Sequence, residues 1–310
     1  MKKKKQSSWI VKTWNEKVSY SDRLKWKDRV VSSAFLAPSF LGLMVFYVVP
    51  FVVIIYYAVI NNNFDNTFVF LDNFKNVLSN AAFQKAAKNT AIFSFTAVPL
   101  AVVLSLLLAC MLEAKIPWKS QFRTIFLSPM MVPVASIVLI WQVIFHYNGV
   151  LNEFLANFGI DKIDWLESGY NMVVVILLFL WKNVGYNMIV FIAALGNIPK
   201  DVVEMAGVEG AGSVRIFFKI KMPYMTSTIL FVTILSLINS FKIYREVYLL
   251  TGQYPYGNLY MMQHFMNNMF EALDYQKLCA AALLMTLVMA VIIGILFLVD
   301  NYAGRDVENG

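Results

Sequence analysis

The chain has 310 residues, of which 59% are hydrophobic and 15% are charged, and its net charge is +7. This composition excludes an ordinary soluble enzyme and indicates a protein that crosses a membrane several times. The two cysteines and two histidines form no clustered motif, so we expect no metal site, no catalytic site and no cofactor bound by the chain itself.

Residues 1–32 form a basic N-terminal segment that begins with a run of lysines after Met1. Ile10, Trp14 and Val18 recur at every fourth position, which fits a helix lying in the membrane interface. A disordered basic tail fits the same residues. The apolar run that follows is too long for the core of a signal peptide, so we expect the first helix to be retained.

Six apolar windows are long enough to cross roughly 30 Å of hydrocarbon. They cover about residues 33–60, 90–112, 125–145, 172–195, 226–250 and 278–299. We therefore predict an all-α membrane protein with six transmembrane helices in residues 33–300 and a short tail in residues 301–310. An even number of spans places both termini on the same side of the membrane.

The distribution of lysine and arginine predicts which side that is. Eighteen of the 26 Lys and Arg residues lie in the two terminal segments and in the loops after the second and fourth spans, against five in the other three loops. Cytoplasmic loops carry the excess of these residues, so both termini are expected to be cytoplasmic. The positive charge then reflects topology and contact with anionic lipids, and no nucleic acid partner is expected.

Several residues near the span ends have structural interpretations. Cys110 and Cys279 fall at opposite depths of the bilayer, too far apart for a disulfide. His146 and His264 lie at or beyond span ends and are expected to be solvated. Pro129 and Pro133 interrupt the third span, and either a packing kink or a water-facing break explains them.

The fourth and fifth spans contain polar side chains that hydrocarbon disfavours. Candidates for a substrate path are Trp181, Lys182, Asn183, Tyr186, Asn239 and Ser240. Such groups either face a water-filled path or bond to a neighbouring helix, and both interpretations remain open for the amides and hydroxyls.

The charged residues of these two spans give sharper expectations. Lys182 lies about 15 Å into its helix, too deep for its side chain to reach the headgroups. We expect it to face the pore or a partner subunit in preference to a bond within this chain. Lys242 and Glu246 lie one helical turn apart, so we expect them to pair with each other and to form an outer gate.

Residues 198–225 form a polar, glycine-rich loop between the fourth and fifth spans. Pro199 suits a helix start, and Asp201 and Glu204 suit its positive N-terminal end. Gly207, Gly210 and Gly212 remove side chains where another surface could approach. The loop therefore predicts a short helix with a smooth docking face on the cytoplasmic side, although an ordinary connecting loop is the plainer alternative.

This loop resembles the EAA loop of the membrane subunits of ATP-binding-cassette (ABC) importers. That pattern has Glu-Ala-Ala, a Gly four residues on, and then Ile-x-Leu-Pro. The matching residues are Glu204, Met205, Ala206, Gly210, Ile220, Met222 and Pro223. Met205 replaces an Ala, Met222 replaces a Leu, and Glu209 stands where the sugar-importer version usually has Asp.

Two outer loops extend the resemblance over most of residues 33–300. Residues 70–74 read Phe-Leu-Asp-Asn-Phe, and residues 148–152 carry a Gly and a Leu-Asn pair ahead of Trp165 and Leu166. Both patterns resemble those of the maltose-type carbohydrate importer permeases. By this resemblance Asn183, Tyr186, Asn239 and Ser240 fall at or beside the sugar-facing positions, with Trp181 or Tyr186 stacking on a sugar ring.

The resemblance also implies the partners. A second permease subunit would complete the pore, two cytoplasmic ATPase subunits would bind ATP and Mg, and an extracellular solute-binding protein would deliver a carbohydrate. The chain itself has no phosphate-binding loop for ATP hydrolysis. The ATPase-coupling residues would be Glu204, Met205, Ala206, Gly207, Glu209, Gly210, Ala211 and Pro223. The setting would be the cell membrane of a prokaryote.

Two other function classes compete with a carbohydrate permease. A permease of the same architecture for another solute, such as phosphate or a polyamine, is the alternative to a carbohydrate permease. A membrane-embedded enzyme would need a nucleophile with a base or paired carboxylates inside the spans, and the sequence offers only scattered amides and cations there.

Overall fold

The computed structural model describes residues 26–27, 29–61, 67–113 and 117–308. Helices dominate these residues, and the only β-type pairing among them is an isolated bridge between Ile60 and Phe68. The chain divides into two compact units, Met1–Tyr57 and Ala58–Gly310. The predicted interfacial helix around Ile10, Trp14 and Val18 lies outside the described residues.

The helices follow one another along the chain with short connections. They are α1 (Arg29–Val59), α2 (Asp72–Leu78), α3 (Ala81–Glu113), α4 (Lys119–Met131), α5 (Val134–Phe145), α6 (Val150–Ala156), α7 (Asn171–Gly196), α8 (Lys200–Val208), α9 (Ser213–Ile216), α10 (Thr226–Phe241), α11 (Tyr244–Thr251), α12 (Met262–Glu271) and α13 (Tyr275–Glu308). Most of α1 belongs to the first unit, and α2 to α13 belong to the second.

Six stretches of the described residues are long and apolar enough to cross a membrane. They are Arg29–Val59, Ala81–Glu113, Val134–Ala156, Asn171–Gly196, Thr226–Thr251 and Tyr275–Asn301. The prediction of an all-α membrane protein with six transmembrane helices is thereby confirmed.

Helix α7 is central to the second unit and packs against α3, α4 and α10. Phe93 of α3 and Phe179 of α7 are almost fully buried, with their rings edge to face at 5.5 Å. A second apolar cluster joins Met188 and Phe191 of α7 to Met225, just before α10. These contacts hold the polar parts of α7 and α10 at fixed positions.

One glycine sets how closely α4 approaches α7. A Cβ atom on Gly185 would lie 1.7 Å from the carbonyl oxygen of Phe126. That distance is far below any non-bonded contact between a carbon and an oxygen atom. Only a residue without a side chain allows the two helices to lie this close.

The third span differs from its prediction. The sequence placed it at residues 125–145, but helix α4 ends at Met131 and α5 begins at Val134. Pro133 has no amide hydrogen and disfavours helical geometry in the residue before it, and Val132 is extended, with φ −84° and ψ 133°. The apolar span therefore starts at Val134, after a complete interruption of the helix.

The fifth span is also interrupted. Helix α10 ends at Phe241, a turn forms at Lys242 and Ile243, and α11 begins at Tyr244. The amide of Lys242 donates to the carbonyl oxygen of Asn239 at 3.1 Å, which tightens the chain relative to an α-helix. Residues on either side of this turn no longer share the face that a continuous helix would give them.

Candidate functional site

A polar cleft of about 710 Å³ opens where the two interrupted spans meet α7. Its lining residues are Met130, Val132, Val134, Phe179, Lys182, Asn183, Tyr186, Leu235, Asn239, Lys242, Ile243, Tyr244, Arg245, Glu246 and Gln263. Both helix interruptions contribute to the wall, through Val132 and through Lys242 and Ile243. Irregular backbone at membrane depth requires protein or water as its neighbour, and the cleft provides room for water.

An ion pair between α7 and α11 lies in this cleft. Lys182 Nζ donates to Glu246 Oε1, and the two side chains are 29% and 5% exposed. Glu246 Oε2 is buried and has no hydrogen-bond partner among the described residues. Lys182 is the twelfth residue of a helix of 26 residues, so the pair lies near the middle of the fourth span.

One prediction about these charges was wrong. Lys242 was expected to pair with Glu246, but the turn after Phe241 removes the one-turn spacing on which that expectation depended, and Glu246 pairs with Lys182. Lys182 was expected to face the pore or a partner subunit in preference to a purely structural bond within this chain. It lines the cleft, and it also bonds to Glu246.

The remaining cations of the cleft have no such partner. Lys242 and Arg245 are exposed, and neither forms an ion pair with any residue in the described part of the chain. The lining thus contains three cationic side chains and one carboxylate. Val134 and Tyr244, the first residues of α5 and α11, also line the cleft.

The amides of the cleft are held by hydrogen bonds. Asn239 Nδ2 donates to Asn183 Oδ1 at 2.9 Å, and Asn183 Nδ2 donates to the carbonyl oxygen of Phe179 at 2.8 Å. These two residues join α7 to α10 with fixed side-chain orientations. Tyr186 lies one turn further along α7 and lines the same cleft.

The structure brings together four of the six residues that the sequence proposed for a substrate path: Lys182, Asn183, Tyr186 and Asn239. Trp181 is not among the lining residues, and its indole packs on Trp141 with ring centroids 5.3 Å apart. Ser240 is fully buried and shares a hydrogen bond of 2.8 Å with Ser94 of α3. These two side chains join helices and do not line the cleft.

Three polar lining residues, Tyr244, Arg245 and Gln263, were not among the candidates from the sequence. Arg245 was recognisable as a cation inside a span, and Tyr244 as its polar neighbour. Gln263 lies in the short helix α12, after the fifth span, and nothing in its sequence context indicates that the chain folds back onto the cleft.

His264 is not solvated as predicted. It is fully buried, its ring lies 4.6 Å from that of Tyr244, and its Nδ1 accepts a hydrogen bond from the Met261 amide. Burial lowers the pKa of His264 from 6.5 to about 4, so the ring is neutral at physiological pH. The segment after α11 folds back onto the helix bundle and buries His264. The apolar spans of the sequence do not predict this fold-back.

The loop between the fourth and fifth spans contains a short helix. Helix α8 covers Lys200–Val208, and Gly210, two residues after its last residue, has a φ of +83°. The Gly210 amide donates to Gly207 O and the Ala211 amide donates to Ala206 O, the pair of bonds of a Schellman motif. Gly210 therefore has a backbone reason to be glycine.

The surface of this loop is open. Met205 and Val208 are 64% and 89% exposed, Glu204, Gly207 and Glu209 are exposed, and an added Cβ at Gly207 would meet no atom within 4 Å. At its far end the loop continues through Phe217–Lys221 and Pro223 into α10. Lys221 bonds to Glu113, the last residue of α3, at 2.6 Å. One end of the loop is thus tied to the second span.

Curated relatives of similar length are transport proteins. The probable ABC transporter permease protein YesP of Bacillus subtilis (strain 168) is 28% identical over 285 residues, covering 89% of this chain and 92% of the relative. YurN of the same organism, also a probable ABC transporter permease protein, is 27% identical over 237 residues, covering 74% and 81%. The sn-glycerol-3-phosphate transport system permease protein UgpA of Shigella flexneri is 28% identical over 225 residues, covering 71% and 76%.

A solved structure shares the fold. It is the crystal structure of a bacterial ABC transporter involved in the import of the acidic polysaccharide alginate, and it matches with a TM-score of 0.78. The identity is 22%, with 91% of this chain and 98% of that chain covered. The family model of the binding-protein-dependent transport system inner membrane component matches residues 97–309, so the chain belongs to that family of membrane transport proteins.

Proposed function

We propose that this chain is a permease subunit of an ATP-driven ABC importer for a carbohydrate and that it forms half of the translocation path. The observation that carries the proposal is a polar cleft built at two helix interruptions within a chain of six apolar spans. The relatives support it, since UgpA is named as a permease for sn-glycerol 3-phosphate and the structural neighbour as part of an alginate importer.

The residues of the cleft suit a polyhydroxylated solute. Asn183 and Asn239 offer amide groups with fixed orientations, and the Tyr186 ring supplies an apolar face next to them. Hydroxyl groups exchange hydrogen bonds with such amides, while the ring covers the apolar face of a sugar. A second permease subunit would close the other side of the path.

The energy would come from two cytoplasmic ATPase subunits that bind ATP and Mg. In this proposal α8 and the turn at Gly210 dock into one ATPase subunit, and Glu204, Met205, Ala206, Gly207, Glu209, Gly210, Ala211 and Pro223 form or support the contact. A solute-binding protein would deliver the substrate from outside. The transporter would lie in the cell membrane of a prokaryote, with both termini of this chain in the cytoplasm.

A polyamine is a poor alternative substrate. The cleft lining carries three cationic side chains and one carboxylate, and that carboxylate already pairs with Lys182. Like charges within a few Å in a site of low dielectric repel strongly, so a cationic solute would be excluded. Inorganic phosphate would leave the amide and aromatic surface of the cleft without a partner.

The proposal is tested by blocking the docking face in the complete transporter. Gly207→Trp adds a large side chain at a position where an added Cβ meets nothing within 4 Å and where φ is not positive. We expect normal membrane insertion, loss of ATPase subunits on purification, and at least a tenfold loss of uptake of radiolabelled carbohydrate. Gly210→Trp is a weaker test because it also strains the left-handed turn.

Gly169→Trp is the matched control, because Gly169 also has open space and no positive φ but lies outside residues 198–225. It is expected to retain the ATPase subunits and transport. Full ATPase recovery and full uptake in Gly207→Trp would show that α8 does not dock the ATPase. Failure of the unmodified transporter to take up any carbohydrate would reject the proposed substrate class.

A further inference from the structure

We propose that the cleft binds the anionic group of a charged carbohydrate, one that carries a carboxylate or a phosphate. This inference rests on the proposed function and narrows its substrate class. It is carried by the charge balance of the lining, by the kinds of side chain that provide the charge, and by the neutral groups beside them.

The lining of the cleft has an excess of positive charge. Of the four charged side chains that line the cleft, Lys182 and Glu246 neutralise each other. Lys242 and Arg245 remain, exposed to the cleft and without an acidic partner among the described residues. Two uncompensated cations inside a membrane span are costly unless an anion or water stabilises them. A ligand with negative charge supplies the missing counter-charge.

The chemistry of these cations favours an oxyanion. The guanidinium of Arg245 presents paired N–H donors that match the two oxygens of a carboxylate or phosphate, and Lys242 adds a point charge. These side-chain charges therefore favour a negatively charged ligand.

The neutral part of the lining identifies the rest of the ligand. Asn183, Asn239 and Tyr186 line the same cleft and can exchange hydrogen bonds with hydroxyl groups. A simple inorganic anion would leave these groups unused, whereas a carbohydrate acid or phosphate uses both parts of the cleft.

The test is an uptake measurement with matched pairs of radiolabelled probes in cells that express the complete transporter. One pair is trigalacturonate and its fully methyl-esterified form, in which a methyl group on each carboxylate removes the negative charge. The other is sn-glycerol 3-phosphate and glycerol. We expect uptake of at least one anionic probe and at least tenfold lower uptake of its neutral counterpart, and the two pairs distinguish a carboxylate from a phosphate.

Uptake of neutral probes alone, extended to maltotriose and lactose, overturns this inference and leaves the proposed carbohydrate function intact. Uptake of no carbohydrate of either charge rejects both. The two failures are therefore distinguishable in one experiment.

Variants assign the effect to the cleft. Arg245→Gln and Lys242→Gln are each expected to lower uptake of the anionic probe at least tenfold, while Arg245→Lys retains part of it. Lys88→Gln makes the same change at an exposed lysine outside the cleft and is expected to transport normally. Co-purification of the ATPase and partner permease is measured for each. Loss of that assembly in Arg245→Gln, or undiminished anion uptake in both glutamine variants, contradicts the proposal.

Discussion

At the scale of single residues, the cleft contains an ion pair whose two members bond only to each other among the charged groups described. Lys182 and Glu246 are 64 positions apart in the chain, and each is the other's only ion-pair partner in the described structure. Removing one member of a buried pair leaves an uncompensated charge, whereas removing both leaves none. The pair therefore behaves as a unit in any mutational analysis.

Lys182→Met is accordingly expected to lower the free energy of unfolding by about 3 kcal/mol, because the Glu246 carboxylate remains buried without a partner. The double variant Lys182→Met/Glu246→Gln is expected to recover more than half of that loss. Unfolding is followed by SDS titration of the purified chain in mild detergent. Lys88→Met is the control, and an equal loss in the single and double variants would refute the coupling.

His264 gives a dependence of stability on pH. Its folded pKa of about 4 lies below the ordinary value of 6.5, so the unfolded chain binds the proton more readily. Stability is therefore full above pH 6.5 and falls as pH decreases towards 4, by about 3 kcal/mol in total. The slope of the unfolding free energy between pH 7 and 5 measures this effect.

His264→Gln is expected to remove most of that slope. His146→Gln, at an exposed histidine, is expected to leave it unchanged. A pH slope that persists in His264→Gln would assign the effect to other groups.

At the scale of helices, the contact between α4 and α7 depends on the missing side chain of Gly185. Gly185→Ala would place a methyl group 1.7 Å from the carbonyl oxygen of Phe126, so the helices must separate. Overpacking of this kind costs about 1–3 kcal/mol. We expect a lower melting temperature in detergent, measured by the loss of the monodisperse peak after heating.

Gly196→Ala is the matched control, since Gly196 ends the same helix and has no atom within 4 Å of an added Cβ. This substitution is expected to leave the melting temperature unchanged or to raise it slightly. Equal melting temperatures for the two variants would show that α4 can move away from α7 without cost.

The sequence predicted the number and type of the spans because long apolar runs have few other structural solutions. It misplaced the third span because Pro133 ends one helix and starts another, and an apolar window does not distinguish an interrupted helix from a continuous one. The turn at Lys242 carries no proline or glycine signal at all. The false pairing of Lys242 with Glu246 followed from that missing signal.

The candidate site was predictable in part for the same reason. Polar residues inside apolar spans can be recognised in the sequence by their residue type. Four of those named as candidates line the cleft: Lys182, Asn183, Tyr186 and Asn239. Their side-chain direction does not follow from type, so for Ser240 both a path role and an interhelical bond were open, and it bonds to Ser94. Gln263 could not be found because its position depends on how an outer loop folds back.

At the scale of the whole molecule, the distribution of basic residues predicts the orientation of the chain in the membrane. In a variant without its native cysteines, single cysteines at Asp161 and Asn258 are expected to react with an impermeant thiol reagent added outside intact cells. Cysteines at Lys119 and Ser213 are expected to react only after lysis. This orientation is expected because lysine and arginine are retained on the cytoplasmic side. Labelling with the opposite pattern would show that the chain is inserted the other way round.

The hydroxyl contact between α3 and α10 has a consequence for motion. Ser240 Oγ bonds both to Ser94 and to the Leu237 carbonyl oxygen of its own helix, at 2.7 Å. If the helices separate, Ser240 keeps its intrahelical bond, and Ser94 can turn its hydroxyl to a carbonyl one turn back in α3. No polar group is stranded, so parting the two helices avoids the penalty of about 1–3 kcal/mol for an orphaned buried donor. The contact between Ser94 and Ser240 can therefore break without leaving a hydrogen-bonding group unpaired.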